Sequence, residues 1–238
     1  MNKTYKVFVG TMFSGEGDFE ECIQSINRQR NVEVKHFIVK NLPEREAHNT
    51  LFSEWNNQKE NFDFFTKIDA DTVLSHPFIL ENFGKMFQSN SRFTSIQAPL
   101  HDYFTNELIN GLNSFVPRVV FNPSPELYCD RVDTNHDVQV KSSEVVRELN
   151  PAGYHCYSAT PRQAFHFGLH RKLKGQNDII NRVAMAYEVN KWPGMVDARA
   201  FALAGAGAAS QCAGEHNYTD TKFEELFQKA LQEINTKL

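Results

Sequence analysis

The chain has 238 residues, 41% of them hydrophobic and 23% charged, which fits one large globular domain or two small ones. A net charge of −4 excludes the basic footprint of a nucleic-acid-binding protein, so a bound anion would need local cations or a metal. The longest apolar stretch, residues 198–209, is rich in Ala and Gly, carries Arg199 and is too short for a transmembrane segment. With no signal-peptide pattern at the start, a cytoplasmic location is expected. Cys22, Cys129, Cys156 and Cys212 show no zinc or redox spacing and read as reduced, buried thiols.

In chain order, residues 6–12 (Lys-Val-Phe-Val-Gly-Thr-Met) read as a buried strand and 14–18 as a glycine-bearing turn. Asp18 opens a helix, with Glu21 three residues on as the second half of a capping box, and Phe19, Cys22, Ile23 and Ile26 as its apolar face. Residues 32–39 alternate and then become apolar, as a second strand would. A turn at 41–44 leads to a helix over 43–58, and a third strand covers 62–69. Residues 76–88 form an amphipathic helix and 93–100 a fourth strand. The pattern is irregular from 101 to 150. Thr160-Pro161-Arg-Gln163 is a well-specified helix start, and further helices are expected over 177–191, 196–213 and 221–235. Alternating strands and helices with short connections imply an α/β sheet whose ligands sit at the carboxyl ends of its strands.

At one such end the third strand runs into Asp69-Ala70-Asp71. On extended backbone, carboxylates at i and i+2 project the same way. Two hard oxygen ligands there suit Mn²⁺ or Mg²⁺, with remaining positions left to water or a substrate phosphate.

The first 75 residues resemble the nucleotide-binding half of a family 2-like glycosyltransferase of GT-A fold. The likeness lies in Val7-Phe-Val-Gly-Thr11 as first strand and turn, and in Glu20-Glu-Cys-Ile-Gln-Ser-Ile-Asn-Arg-Gln29 as first helix. It continues in Glu46-Ala-His-Asn49 and in the Asp-x-Asp motif Ile68-Asp-Ala-Asp71. Lys40-Asn-Leu-Pro stands where the family has Asp-Gly-Ser, leaving the donor open between UDP- and GDP-sugars. The resemblance implies a GT-A-like, mixed, mainly parallel sheet flanked by helices, with a C-terminal helical extension. It implies a catalytic domain over 1–175, divided into a nucleotide-sugar half (1–100) and an acceptor half (101–175), and an extension over 176–238. Thr11, Asn41, Asn49, Asp69 and Ala70 would contact the nucleotide-sugar, and His155 would join Asp69 and Asp71 on the metal.

The activity so implied is transfer of a sugar from a nucleoside-diphosphate donor to a hydroxyl of a glycan or glycoconjugate. An inverting transfer needs a base for the acceptor proton, and Asp130, Asp133 and Asp102 are the candidates, in that order. Two alternatives stand beside it. Asp69-Ala-Asp-Thr-Val-Leu74 also fits the nucleophile motif of a haloacid-dehalogenase-like phosphatase, with Asp69 attacking phosphorus. A non-catalytic sugar-nucleotide- or carbohydrate-binding protein would keep the same site without turnover.

Overall fold

The computed structural model describes residues 3–124, 138–140, 149–192, 194–212 and 221–236. These divide into two units, the first made of residues 1–13, 18–102 and 107–157, and the second of 14–17, 103–106 and 158–238.

The first unit is an α/β domain built on a mixed sheet. Its strands are β1 (Tyr5–Phe13), β2 (Val32–Lys40), β3 (Phe64–Lys67), β4 (Thr72–Leu74), β5 (Phe93–Asp102), β6 (Glu107–Phe115), β7 (Val138–Val140) and β8 (Gly153–His155). The sheet order is β2-β1-β3-β6-β5-β8-β4, and β7 pairs with β5 beside β8. Strands β1, β2 and β3 run parallel, β6 is antiparallel to both β3 and β5, and β8 is parallel to β5 but antiparallel to β4. The described residues of this unit include the α-helices α1 (Phe19–Asn27), α2 (Glu44–Gln58) and α3 (Ile79–Ser89).

Side-chain alternation along β1 sorts the core into two faces. Val7 and Val9 join Cys22 and Ile26 of α1 and Ile79, Leu80 and Phe83 of α3. Phe8 faces the other way, toward Leu51, Phe52 and Trp55 of α2 and the segment carrying Val119 and Phe121. That second face accounts for much of the chain's phenylalanine. Trp55 stacks on Phe65 with centroids 5.3 Å apart, Phe52 lies flat on Phe121 at 4.2 Å, and Phe8 meets Phe62 and Phe65 edge-on. Offset and edge-to-face pairs of this kind add roughly 0.5–1.5 kcal/mol each beyond the area they bury. Helix α2 also clips the chain after β6 from the polar side. Asn49 exchanges two hydrogen bonds with the backbone of Ser124, and Asn56 does the same with Phe121.

Three local expectations are revised. Asp18 does precede α1, but its side chain makes no cap bond to the helix, so the capping box is absent. The third strand ends at Lys67, two residues before the first aspartate, because the next residues turn to start β4. Residues 107–115, within the stretch read as irregular, form β6; Gly111 and three asparagines or serines dilute its alternation.

The second unit consists of α4 (Pro161–Leu173), α5 (Asn177–Asn190), α6 (Ala198–Ala208) and α7 (Thr221–Asn235), together with the short segments 14–17 and 103–106. The start of α4 is as expected: the Thr160 hydroxyl accepts from the Gln163 N–H at 3.2 Å, with Pro161 in the first turn. Helices α4 and α6 approach through glycine. A Cβ on Gly168 would lie 1.7 Å from the Ala202 carbonyl oxygen, and one on Gly205 would lie 2.0 Å from that of Phe165. Phe165, Phe201, Phe223 and Phe227 fill the surrounding core. Arg199, the charge that interrupts the apolar run, is buried and fully engaged. It pairs with Asp197 at 2.9 Å, donates to the carbonyls of Phe104 and Tyr103, and stacks over the Tyr103 ring. Among the described residues no helix is long and apolar enough to cross a membrane.

The glycine contacts separate two outcomes across α4 and α6. Gly205→Ala and Gly168→Ala are expected to destabilise the protein by about 1–3 kcal/mol, since backbone must move to admit the methyl. Gly207→Ala, which meets nothing within 4 Å, is expected to be neutral or to gain up to ~1 kcal/mol of helix propensity. Urea denaturation of the three variants measures the difference.

Candidate functional site

The Asp69–Thr72 segment is a tight turn rather than extended strand. The Ile68 N–H still donates to Gly10 in β1, anchoring the end of β3, and the Thr72 N–H then donates back to the Asp69 carbonyl at 2.9 Å. The same-side projection expected of extended backbone therefore does not apply to this segment. Asp69 accepts from the Lys67 ammonium at 2.6 Å, with its side chain 43% exposed. Burial of its surroundings works to raise the Asp69 carboxyl, but Lys67 outweighs it and the group ends below the usual carboxylate range. Ala70 is buried between the two aspartates.

Asp71 faces a different set of partners, delivered by β8. That short strand lies between β4 and β5, with Thr72 opposite His155 on one side and Asp102 opposite His155 on the other. This register brings three segments far apart in sequence to one point. His155 Nδ1 lies 2.6 Å from Asp102 Oδ1, and its Nε2 lies 3.6 Å from Asp71 Oδ2. Asp102, with its side chain only 2% exposed, fixes the ring: Nδ1–H donates to the carboxylate, and Nε2 is turned toward Asp71.

The next residue completes the cluster. Cys156 adopts φ 55°, a left-handed backbone that costs a non-glycine residue of order 1–2 kcal/mol. Its N–H donates to the Asp71 carbonyl at 2.8 Å, and its thiol donates to Asp71 Oδ2 at 3.1 Å and sits 3.5 Å from His155 Nε2. Burial, then the negative charge of Asp71, push the Cys156 thiol well above its ordinary pKa. One ligand atom each from Asp71, His155 and Cys156 falls within 4.8 Å of the others, a grouping able to hold a metal ion.

The other expected site residues are placed as follows. Thr11 is fully buried on β1, and its hydroxyl is 2.9 Å from His36 Nε2 on β2. Asn41 is exposed at φ 56° in the turn after β2, and its N–H donates to Phe13. The Asn49 side chain is engaged with the Ser124 backbone. Asp130 and Asp133 lie outside the described residues. The structure therefore joins Asp71, His155 and Asp102, while Thr11 bonds to His36, the Asn41 backbone to Phe13 and Asn49 to Ser124. Sequence reading missed Cys156. The available signal was its position directly after His155 at a strand end, which is too short a pattern to stand out alone.

No family model and no curated protein matches the chain. Among solved structures, a mannosyltransferase from Pyrobaculum calidifontis in complex with GDP-Man and Mn²⁺ is similar at 12% identity and a TM-score of 0.43. The match covers 98% of this chain and 81% of that one.

Burial lowers His36 from an ordinary histidine value to about 4, and lowers His48 in the same direction with help from Lys67. A lowered folded-state pKa means that the unfolded chain takes up protons first as pH falls. Stability contributed by His36 is thus complete above about pH 6.5 and is lost on acidification toward pH 4. Melting temperature measured across this window is expected to fall, and His36→Gln, which removes the titrating ring, should flatten that part of the curve.

Proposed function

We propose that this chain is a metal-dependent glycosyltransferase of GT-A-like fold. It would move a sugar from a nucleoside-diphosphate donor to a hydroxyl on a glycan or glycoconjugate. The observation that carries the reading is the meeting of Asp71, from the Asp-x-Asp turn that closes β3, with His155 at the end of β8. The mixed α/β sheet supports it, since the turn lies at the carboxyl end of one of three adjacent parallel strands, where such sheets take their ligands.

Asp71 and His155 suit a divalent cation, with Asp69 at the exposed rim of the same turn; Mn²⁺ and Mg²⁺ are the ions expected from the motif. When bound, such an ion would supply positive charge against that developing on a departing nucleoside diphosphate. The chain's own residues do the positioning. Asp102 holds the His155 ring so that Nε2 faces the site, a contact that supports an orienting role over that of acceptor base. Asp130 and Asp133 remain the residues proposed to take the acceptor proton. Lys67 holds Asp69 ionised and adds a fixed positive charge beside the turn. The same pairing weighs against the phosphatase alternative, because an Asp69 carboxylate neutralised by Lys67 at 2.6 Å is a blunted nucleophile.

A thermal-shift panel of UDP, GDP and their sugar conjugates, GDP-mannose included, tests the reading with and without Mn²⁺. One nucleotide is expected to stabilise the protein only when metal is present, by roughly 5–10 °C at about 100 times its Kd. Asp71→Ala is expected to abolish that shift. The proposal fails if no nucleotide responds, or if the variant responds as the parent does.

A further inference from the structure

The chemistry of the donor set goes further than an oxygen-lined Asp-x-Asp site. Asp71 Oδ2, His155 Nε2 and Cys156 Sγ are separated by 3.6, 3.5 and 3.1 Å. An ion held tetrahedrally at about 2.3 Å from sulfur and about 2.0–2.2 Å from nitrogen and oxygen sets those atoms about 3.3–3.6 Å apart. An octahedral Mg²⁺ with oxygens at about 2.0–2.1 Å would bring adjacent ligands to about 2.9 Å and takes no thiolate. The His155–Cys156 edge matches the tetrahedral face, and the Asp71–His155 edge lies within about 0.3 Å of it. The third, the Cys156–Asp71 edge, is the one now spanned by an S–H···O hydrogen bond.

Two further observations bear on the same residues. Cys156 holds a left-handed backbone directly after β8, a conformation that directs its thiol toward Asp71 and His155. His155 is locked by Asp102 with Nε2 facing the sulfur and the Asp71 oxygen, the outer-partner arrangement usual for a metal-bound imidazole.

We infer that Cys156 is the third protein ligand of the metal, and that the ion is a thiolate-accepting one of the Zn²⁺ or Co²⁺ class rather than Mg²⁺. The inference rests on the proposed transferase only in sharing its site. On binding, the Cys156 S–H bond breaks, the proton leaves to solvent, and a sulfur lone pair forms the S–metal bond; no electron is transferred. Three protein ligands leave the fourth position open, the pattern of a catalytic rather than a structural site. That position is available to an oxygen of the diphosphate. The order of affinity among the divalent ions then follows sulfur and nitrogen preference, with Co²⁺ and Zn²⁺ above Mn²⁺ and Mg²⁺ far below.

The test is titration of chelator-treated, full-length protein with Co²⁺, followed by absorbance, with Zn²⁺ affinity measured by competition. A sulfur-to-cobalt charge-transfer band and intense visible bands of tetrahedral Co²⁺ are expected at one equivalent. Both should disappear in Cys156→Ser and persist in Cys22→Ser. Asp102→Asn should keep the band and weaken Zn²⁺ about 10- to 100-fold, the usual effect of losing an outer partner, while Cys156→Ser should lose more. Cobalt bound without a sulfur band overturns the inference, and does so on the parent protein even if Cys156→Ser fails to fold. A band that survives Cys156→Ser also overturns it. The nucleotide panel separates this from the transferase reading. Nucleotide binding with Mn²⁺ that is unchanged in Cys156→Ser removes the thiol ligand and keeps the transferase. A Cys156-dependent cobalt band in a protein that engages no nucleotide keeps the metal site and removes the transferase.

Discussion

Three residues of β8 hold the metal-capable cluster together. Gly153–His155 is inserted between β4 and β5, parallel to one and antiparallel to the other, and the register puts His155 level with both Thr72 and Asp102. A slip of one residue would point the imidazole to the opposite face of the sheet and replace it with Tyr154, which is half-exposed on the far side. The metal-capable cluster is therefore a product of strand pairing. Gly153 fits the constraint: a Cβ there would meet the Val73 carbonyl oxygen at 2.6 Å, so only glycine lets β8 come this close to β4.

The rest of the first unit keeps that register in place. One face of the sheet is closed by Cys22 and Ile26 of α1 and Ile79, Leu80 and Phe83 of α3, the other by α2, Phe65 of β3 and the segment after β6. Close-packed aromatic faces transmit position because interiors lack the slack to absorb a shift. Asn49 and Asn56 add four directional bonds where rings alone would permit sliding. Asn49 thus stabilises the loop after β6.

The two aspartates of the Asp-x-Asp motif take different parts. Asp69 is balanced by Lys67 and remains at the surface, whereas Asp71 turns inward to His155 and Cys156. The segment between them is the turn that the Thr72 N–H closes on the Asp69 carbonyl, and the metal-capable group that results is Asp71, His155 and Cys156, where Asp69, Asp71 and His155 were expected.

Local signals in the sequence were sufficient for much of this. The strand–helix alternation of the first hundred residues and the Thr160-Pro161 helix start follow from periodicity and residue chemistry that act within a few positions. His155 entered only through the glycosyltransferase resemblance, and the structure sets its ring beside Asp71. What needed the tertiary structure was every relation between distant residues. The alignment of Asp102 with His155, the inward turn of Asp71 and the role of Cys156 depend on which strand lies beside which. Strand pairing is decided by burial across the whole sheet, so a single sequence holds no local record of it.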